Sequence, residues 1–174
     1  MSGKPYLAAE DSALLRRALG SYSGSSCLEI GAGNGGNLVE PSGRFGLVVG
    51  TDIVRPGMDD WRKTGASYIL ADCASCVRSG VIDLVLFNPP YLAEETTGDV
   101  TIEGGHDLRV PKGFLSEALR VVKREGAVVF LLNDGADLDE FKQLSSESGF
   151  QIERVASERV FFEELAVYRA TARV

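Results

Sequence analysis

Apolar and polar positions along the chain follow two periods, one typical of helices and one typical of buried strands. Leucines cluster on one face of residues 8–19, which predicts a first helix. Further helices are predicted over residues 114–123 and 138–147, and the last of them ends before Gly149. Short apolar runs predict seven strands, over residues 27–30, 47–50, 67–70, 82–87, 127–132, 150–155 and 165–170.

The order of these segments predicts the fold class. Strands that alternate with helices form parallel βαβ units, whereas the last two strands have no helix between them and should pair antiparallel. We therefore expect an α/β fold, with a doubly wound, mostly parallel seven-stranded sheet that ends in an antiparallel β-hairpin. A chain of 174 residues suits one domain, over residues 1–174.

Composition and charge narrow the class of protein. Hydrophobic residues make up 44% of the chain and charged residues 25%, as in an ordinary globular domain. The net charge of −7 opposes broad, charge-driven binding to nucleic acid. The first residues carry no apolar run after a basic region, and no stretch approaches a membrane span, so we expect a cytoplasmic protein.

The three cysteines do not predict a disulfide framework. Cys73 and Cys76 form a C-x-x-C pair, but two thiolates are only half of a tetrahedral zinc site. The single histidine, His106, is distant in sequence. We expect no metal, and we expect Cys27, Cys73 and Cys76 to be buried or partly buried thiols.

A glycine-rich segment follows the first predicted strand. Gly31, Gly33 and Gly36 match the dinucleotide motif G-x-G-x-x-G, and Gly31, Gly33 and Gly35 equally match the E-x-G-x-G-x-G loop used for S-adenosylmethionine. Asp52 ends the second strand at the spacing expected for a carboxylate that accepts both ribose hydroxyls. An adenosine-type ligand is therefore predicted above the first two strands.

Two further acidic residues help to distinguish a dinucleotide from S-adenosylmethionine as the predicted ligand. Glu29 lies within the first strand, where a carboxylate would reach the ammonium of a methionine moiety; the alternative is a solvent-facing strand residue. Asp72 ends the third strand and would accept from the adenine amino group; the alternative is a helix N-cap or a turn residue.

Asn88, Pro89, Pro90 and Tyr91 follow the fourth strand as a rigid tetrapeptide. In a doubly wound sheet this strand lies beside the first, so Asn88 should adjoin the glycine loop. The Asn88 side-chain oxygen and the Pro89 carbonyl are two fixed acceptors that suit an NH2 group, and Tyr91 offers a flat face to a planar group. Such a cradle would aim the nitrogen lone pair at a sulfonium methyl and stabilise the positive charge that develops on nitrogen.

These residues resemble a known family. The Asn-Pro-Pro-Tyr motif and the Glu29 loop match amino-methylating class I methyltransferases, and residues 5–15 look like the entrance helix of HemK-type glutamine methyltransferases that modify class I peptide release factors. Residues 103–107 are similar to that group's G-G-x-D stretch, although Leu108 replaces its usual glycine, and residues 157–170 resemble its closing hairpin.

The resemblance implies a class I methyltransferase fold and a glutamine substrate in the release factor's Gly-Gly-Gln loop. Asn88, Pro89, Pro90 and Tyr91 would hold the glutamine amide. The residues that would contact S-adenosylmethionine are Ser12, Glu29, Gly31, Gly33, Asp52, Asp72, Cys73 and Asn88.

A partner is also predicted. The segment between the second and third strands is too short to shield that side of the sheet, so strand three should be an exposed edge, with Met58, Trp61 and Tyr68 forming an apolar patch. The short archaeal and eukaryotic members that the chain resembles work with a small zinc-binding activator, which implies a heterodimer. The alternative is a stable monomer in which Trp61 folds back as a local cap.

Three other functions remain open from the sequence. An adenine-N6 methyltransferase acting on DNA or RNA would use the same Asn88 motif, although it needs a cationic cradle. An NAD-dependent oxidoreductase would use the glycine loop but leaves Glu29 and Asn88 unexplained. A non-catalytic binding subunit would not need both motifs intact.

Overall fold

A computed structural model describes residues 7–89, 109–133, 136–160 and 163–173. Several predicted features lie outside these residues. They are Pro90, Tyr91, the stretch 103–107 with His106, and Leu108.

The described residues form four α-helices, three 3-10 helices and seven strands. The α-helices are α1 Leu7–Leu19, α2 Met58–Trp61, α3 Arg109–Val121 and α4 Leu138–Glu147, and the 3-10 helices are Gly36–Leu38, Pro41–Gly43 and Arg62–Thr64. The strands are β1 Gly24–Ile30, β2 Phe45–Asp52, β3 Ser67–Leu70, β4 Ile82–Phe87, β5 Val122–Asn133, β6 Phe150–Val160 and β7 Glu163–Ala172. In the part of the chain that is described, no helix combines the length and the apolar character that crossing a bilayer requires.

The strands form one sheet in the order β3-β2-β1-β4-β5-β7-β6. Strands β1 to β5 pair in parallel, and β7 lies between β5 and β6 and is antiparallel to both. The predicted sheet with its terminal antiparallel hairpin is confirmed. Because β1 has β2 on one side and β4 on the other, the strand order reverses at β1, and ligands bind at such a switch point.

Two apolar layers cover the faces of the sheet. One layer packs α1 against alternate residues of the central strands, with Leu15 and Leu19 fully buried. The other packs α3 and α4 on the opposite face, where Phe87 stacks on Phe130 with ring centroids 5.0 Å apart. Fully burying side chains of this size contributes about 1.5 to 3 kcal/mol each.

The boundary between α3 and β5 differs from the prediction. The helix ends at Val121 instead of residue 123, because Val122 already pairs with Ile82 and is buried. Lys123 then reaches back to Asp83, with Nζ 2.6 Å from Oδ1. An irregularity in the pairing follows, and β5 resumes its register at the pair between Leu84 and Ala127.

The connections between β1 and β4 are shorter than a doubly wound fold usually has. Two 3-10 helices join β1 to β2, and the four-residue α2 with a 3-10 helix joins β2 to β3. The described segment between β3 and β4 contains only turns. The outer strands β2 and β3 are thinly covered as a result, and Leu47, Ile69 and Leu70 are 51%, 39% and 62% exposed.

Candidate functional site

The glycine loop after β1 adopts the three-glycine arrangement. Gly31, Gly33 and Gly35 have φ of +68°, +52° and +77°, which side-chain-bearing residues rarely adopt. Gly36 has no positive φ and begins the 3-10 helix. A Cβ on Gly31 would lie 2.7 Å from the Phe114 ring, whereas a Cβ on Gly33 would meet no atom within 4 Å. The Gly33 backbone therefore borders open space that a ligand can enter.

Asp52 fixes this loop to the end of β2. Its Oδ2 accepts a hydrogen bond from the Gly33 backbone N–H at 2.8 Å, and its Oδ1 accepts one from the Val54 N–H at 2.8 Å. Each carboxylate oxygen can accept a further bond. The half-buried Asp52 thus lies beside Gly33 and retains capacity for two ligand hydroxyls.

Glu29 is a buried acid at the carboxyl end of β1. Its side chain is 1% exposed, so the solvent-facing alternative is wrong. Oε1 accepts from Asn37 Nδ2 at 2.7 Å, and Oε2 is buried without a partner among the described residues. Burial raises the pKa of Glu29 to about 8, against the lowering effect of the Asn37 hydrogen bond; Asp52 raises this pKa and Arg16 lowers it.

Asp72 and Cys73 lie just beyond β3, in a turn closed by a hydrogen bond from the Ser75 N–H to the Asp72 carbonyl at 3.1 Å. Asp72 is exposed, and Cys73 is partly buried with a φ of +46°. Burial and a hydrogen bond with Asp72 raise the pKa of Cys73 to about 12, so this thiol is protonated at neutral pH. Cys76 is exposed.

Asn88 and Pro89 leave the end of β4. The pairing of Ile30 with Phe87 in the parallel ladder brings Asn88 beside Gly31. Asn88 is half-buried, and its Oδ1 is fully buried without a hydrogen-bond donor among the described residues. Pro89 is buried. The geometry therefore leaves one preformed acceptor beside the glycine loop.

The fold brings most predicted site residues to one edge of the sheet. Glu29, Asp52 and Asn88 lie at or beyond the carboxyl ends of β1, β2 and β4, around the glycine loop. The turn with Asp72 and Cys73 follows the carboxyl end of β3, and Ser12 lies half-buried on α1. Such a site offers acceptors to hydroxyls, to an ammonium and to an amide.

Sequence reasoning missed Asn37, the residue that contacts Glu29 directly. It follows the glycine motif by two positions, on the 3-10 helix Gly36–Leu38, and is 7% exposed. The only signal in the sequence is a polar residue directly before the apolar Leu38, which does not by itself distinguish a buried amide from an exposed one.

The predicted exposed patch around Trp61 is wrong for Trp61 itself. This ring is 2% exposed because it packs over Gly50, where a Cβ would lie 2.5 Å from it. It also packs edge-to-face against Tyr68, with the ring centroids 5.1 Å apart. Its Nε1 donates a hydrogen bond to the Ala66 carbonyl at 2.9 Å. An open cleft of about 640 Å³ remains beside it. The cleft is lined by Arg55, Met58, Trp61, Arg62, Gly65, Ala66, Tyr68 and Leu70.

Comparison with solved structures supports the fold. The chain superimposes on the methyltransferase of the "E. cuniculi Mtq2-Trm112 complex" with a TM-score of 0.75, covering 99% of this chain and 98% of that one at 20% identity. It superimposes on a magnesium protoporphyrin IX methyltransferase from Synechocystis, solved with bound SAM, with a TM-score of 0.68. That match covers 99% of this chain and 87% of the other at 14% identity.

Sequence comparison shows the family. No family model matches the chain. A relative from Methanocaldococcus jannaschii, named "Putative protein N5-glutamine methyltransferase", is 30% identical over 179 residues, which cover 95% of this chain and 90% of the relative. The chain belongs to the protein N5-glutamine methyltransferase family.

Proposed function

We propose that this chain, as a single methyltransferase domain over residues 1–174, methylates the side-chain amide of the glutamine in the Gly-Gly-Gln loop of a class I peptide release factor. The observation that carries the proposal is the buried Oδ1 of Asn88 beside the glycine loop, which receives no hydrogen bond from the described residues. An unpaired buried acceptor costs about 1 to 3 kcal/mol, which a substrate amide N–H would remove on binding.

The glycine loop and its acids fit S-adenosylmethionine. Gly33 borders open space, Asp52 has acceptor capacity for ribose hydroxyls, and Glu29 has a buried free oxygen for an ammonium. In this proposal Asp72 accepts from the adenine amino group, and Ser12 and Cys73 also contact the cofactor. When bound, the cofactor supplies an electrophilic methyl group on a sulfonium.

Asn88 and Pro89 would orient the substrate nitrogen. An amide nitrogen is a poor nucleophile because its lone pair is delocalised into the carbonyl. Asn88 Oδ1 and the Pro89 carbonyl each accept one amide N–H, which turns the lone pair toward the methyl and stabilises the positive charge that grows on nitrogen. After transfer of the methyl group to the nitrogen, the nitrogen would release a proton to water. Pro90 and Tyr91 complete this cradle in the proposal.

A small activator subunit is the proposed partner, docking on the free edge of β3. Among the described residues β3 pairs only with β2, so its outer backbone groups are available for strand addition. Ile69, Leu70 and the cleft beside Trp61 add apolar surface next to this edge. The structural neighbour from E. cuniculi is itself a complex with Trm112, responsible for methylation of the termination factor eRF1. Any zinc would belong to the partner, and the reaction would take place in the cytoplasm.

The direct test is transfer of a labelled methyl group from S-adenosylmethionine to a class I release factor, followed by mass spectrometry. We expect one methyl group on the glutamine of the Gly-Gly-Gln loop, and no label when this glutamine is replaced by glutamate. A duplex DNA and a structured RNA serve as parallel substrates. Methylated adenine in either of them, with an unmodified release factor, would overturn the proposal.

A further inference from the structure

Glu29 and Asn37 are two buried polar side chains that contact each other at the glycine loop. Asn37 donates from Nδ2 to Glu29 Oε1 at 2.7 Å, and this hydrogen bond leaves Glu29 Oε2 and Asn37 Oδ1 without donors among the described residues. Both side chains are more than nine-tenths buried. Protein structures rarely leave two such atoms unpaired in one place, because each costs free energy.

The neighbouring elements supply charge but no hydrogen bond to either free oxygen. Arg16 on α1 and Asp52 on β2 act on Glu29 only through space, with opposite effects on the pKa of its carboxyl group. Gly50 of β2 and Leu86 of β4 are the residues paired with Glu29 in the sheet, and neither has a polar side chain. No residue that the structure describes donates to these two oxygens, which leaves both of them open to a ligand.

An alkylammonium matches this arrangement. It carries three N–H donors and a positive charge, so one group can donate to both free oxygens and favour the ionised form of the buried Glu29 carboxyl group. The methionine portion of S-adenosylmethionine has one ammonium, and Glu29 adjoins the glycine loop at Gly31.

We propose that Asn37 is a positioning residue for cofactor binding: its Nδ2 fixes the Glu29 carboxylate, and its Oδ1 is the second acceptor for the ammonium of the methionine moiety. This inference rests on the proposed function, which places S-adenosylmethionine in the glycine loop. Asn37 lies outside the E-x-G-x-G-x-G motif, so the motif alone does not assign it this role.

A series of three ligands tests the proposal by calorimetry. S-adenosylmethionine and S-adenosylhomocysteine carry the ammonium, whereas methylthioadenosine has the same adenosine portion and lacks it. For Asn37→Leu we expect both amino-acid ligands to bind about 10-fold to 100-fold more weakly, since hydrogen bonds to a charged group are lost. Methylthioadenosine should bind within about 2-fold of the wild type, because Gly33 and Asp52 are unchanged.

The matched control is Asn34→Leu, the same change in the same loop. Asn34 is exposed, and within the described part of the chain its Oδ1 accepts a hydrogen bond only from the Gly36 N–H, at 3.0 Å. If this variant changes the shape of the loop, the binding affinities for all three ligands should fall equally. Equal weakening of the three ligands by Asn37→Leu would overturn the positioning role, as would unchanged affinity for S-adenosylhomocysteine.

If Asn37→Leu does not fold, a second variant tests the same role. Asn37→Ala removes the amide without adding apolar volume, and it is combined with Glu29→Gln in a double-mutant cycle. We expect the two substitutions to be non-additive for S-adenosylhomocysteine and additive for methylthioadenosine, because only the first ligand brings an ammonium to both side chains. Additivity for both ligands would overturn the proposal. Wild-type protein that binds none of the three ligands would instead overturn the proposed function.

Discussion

At the scale of single residues, the candidate site is built from acceptors that lack donors. Asn88 Oδ1 and Glu29 Oε2 are both buried and unpaired among the described residues, which lowers the stability of the folded chain. Each oxygen faces a different chemical task in the proposed reaction: one accepts from the substrate amide and the other from the cofactor. In the proposed reaction these residues would therefore serve binding and catalysis at the expense of stability.

Asn88→Ala should reduce methyl transfer more than tenfold while the melting temperature stays close to that of the wild type. The lost hydrogen bond strengthens as positive charge develops on the amide nitrogen, so the fall should appear mainly in kcat. Steady-state kinetics with a release factor, together with calorimetry of S-adenosylmethionine binding, would measure both effects. A variant that keeps more than a tenth of wild-type turnover contradicts the assigned role.

Asp52→Ala should weaken S-adenosylmethionine binding by about 1.5 to 3 kcal/mol, because in the proposed site the carboxylate accepts ribose hydroxyls, and it also holds the Gly33 N–H. The matched control is Asp59→Ala, since Asp59 is exposed on α2 and pairs only with Arg62. Calorimetric titration of both variants gives the comparison. Equal affinities for the two would remove Asp52 from the site.

Glu29→Gln should change how stability depends on pH in the cofactor-free protein. Burial raises the pKa of Glu29 to about 8 from 4.5. Between these values the folded chain holds a proton that the unfolded chain has lost, so the wild-type free energy of unfolding falls as pH rises from about 4.5 to about 8. Glutamine removes this dependence, and the variant should be more stable than wild type at pH 8 by on the order of 3 kcal/mol.

Urea denaturation at pH 5, 6.5 and 8 measures this effect. The two proteins should have similar stability at pH 5, where the carboxyl is largely protonated in the folded state. Glu125→Gln is the control, because Glu125 is exposed. A wild type that loses no stability relative to Glu29→Gln over this range would show that the buried carboxyl does not titrate as stated.

At the scale of elements, the connection between β3 and β4 depends on α3. Arg120 on α3 donates from Nη2 to the Ala74 carbonyl and from Nη1 to the Val77 carbonyl, each at 2.9 Å, and it pairs with Glu117 at 2.8 Å. These hydrogen bonds tie the connection, which has no helix of its own, to α3. Arg120 also holds the turn in which Cys73 has its positive φ, next to Asp72.

Arg120→Met should lower the free energy of unfolding by about 1 to 3 kcal/mol, because two carbonyls lose a charged donor while the partly exposed site lets water replace some of the loss. It should also weaken cofactor binding at the adenine end by loosening the turn that contains Asp72. Lys142→Met on α4 is the control, since Lys142 is exposed and pairs only with Asp139. Urea denaturation measures the free energy of unfolding, and calorimetry measures methylthioadenosine binding. Equal stability and equal affinity of the two variants would show that Arg120 does not hold this connection in place.

At the scale of the whole molecule, the two edges of the sheet differ in chemistry. β6 carries charged residues that face solvent, among them Glu153, Arg154 and Glu158, and charges on an edge strand discourage pairing with another chain. β3 carries Ile69 and Leu70 instead, both exposed. This asymmetry favours β3 as the edge that a partner covers.

Leu70→Lys should increase the soluble yield of the chain expressed alone and abolish its co-purification with the activator subunit. The introduced charge hydrates the free edge and would be desolvated by the partner. Val155→Lys is the matched control, because Val155 is also an exposed apolar residue on an edge strand, on β6. Gel filtration after co-expression measures both. Retained complex with Leu70→Lys would place the interface elsewhere.

The sequence by itself determined the features that depend on local chemistry. The strands over residues 67–70 and 82–87 have the predicted bounds, since each is a short apolar run with turn-forming residues after it. The choice between two glycine motifs stayed open, because it depends on the φ values of Gly35 and Gly36. The terminal hairpin followed from the absence of a helical segment between the last two strands.

Only the tertiary structure decided which side chains are buried and what they contact. The burial of Glu29 depends on the 3-10 helix with Asn37 and on the strands at either side. Trp61 is buried because Gly50 leaves space for its ring, and α3 ends at Val121 because Val122 pairs with Ile82, forty residues earlier in the chain. Burial and strand pairing bring together residues that are far apart in sequence, so no local pattern around any one of them specifies the outcome.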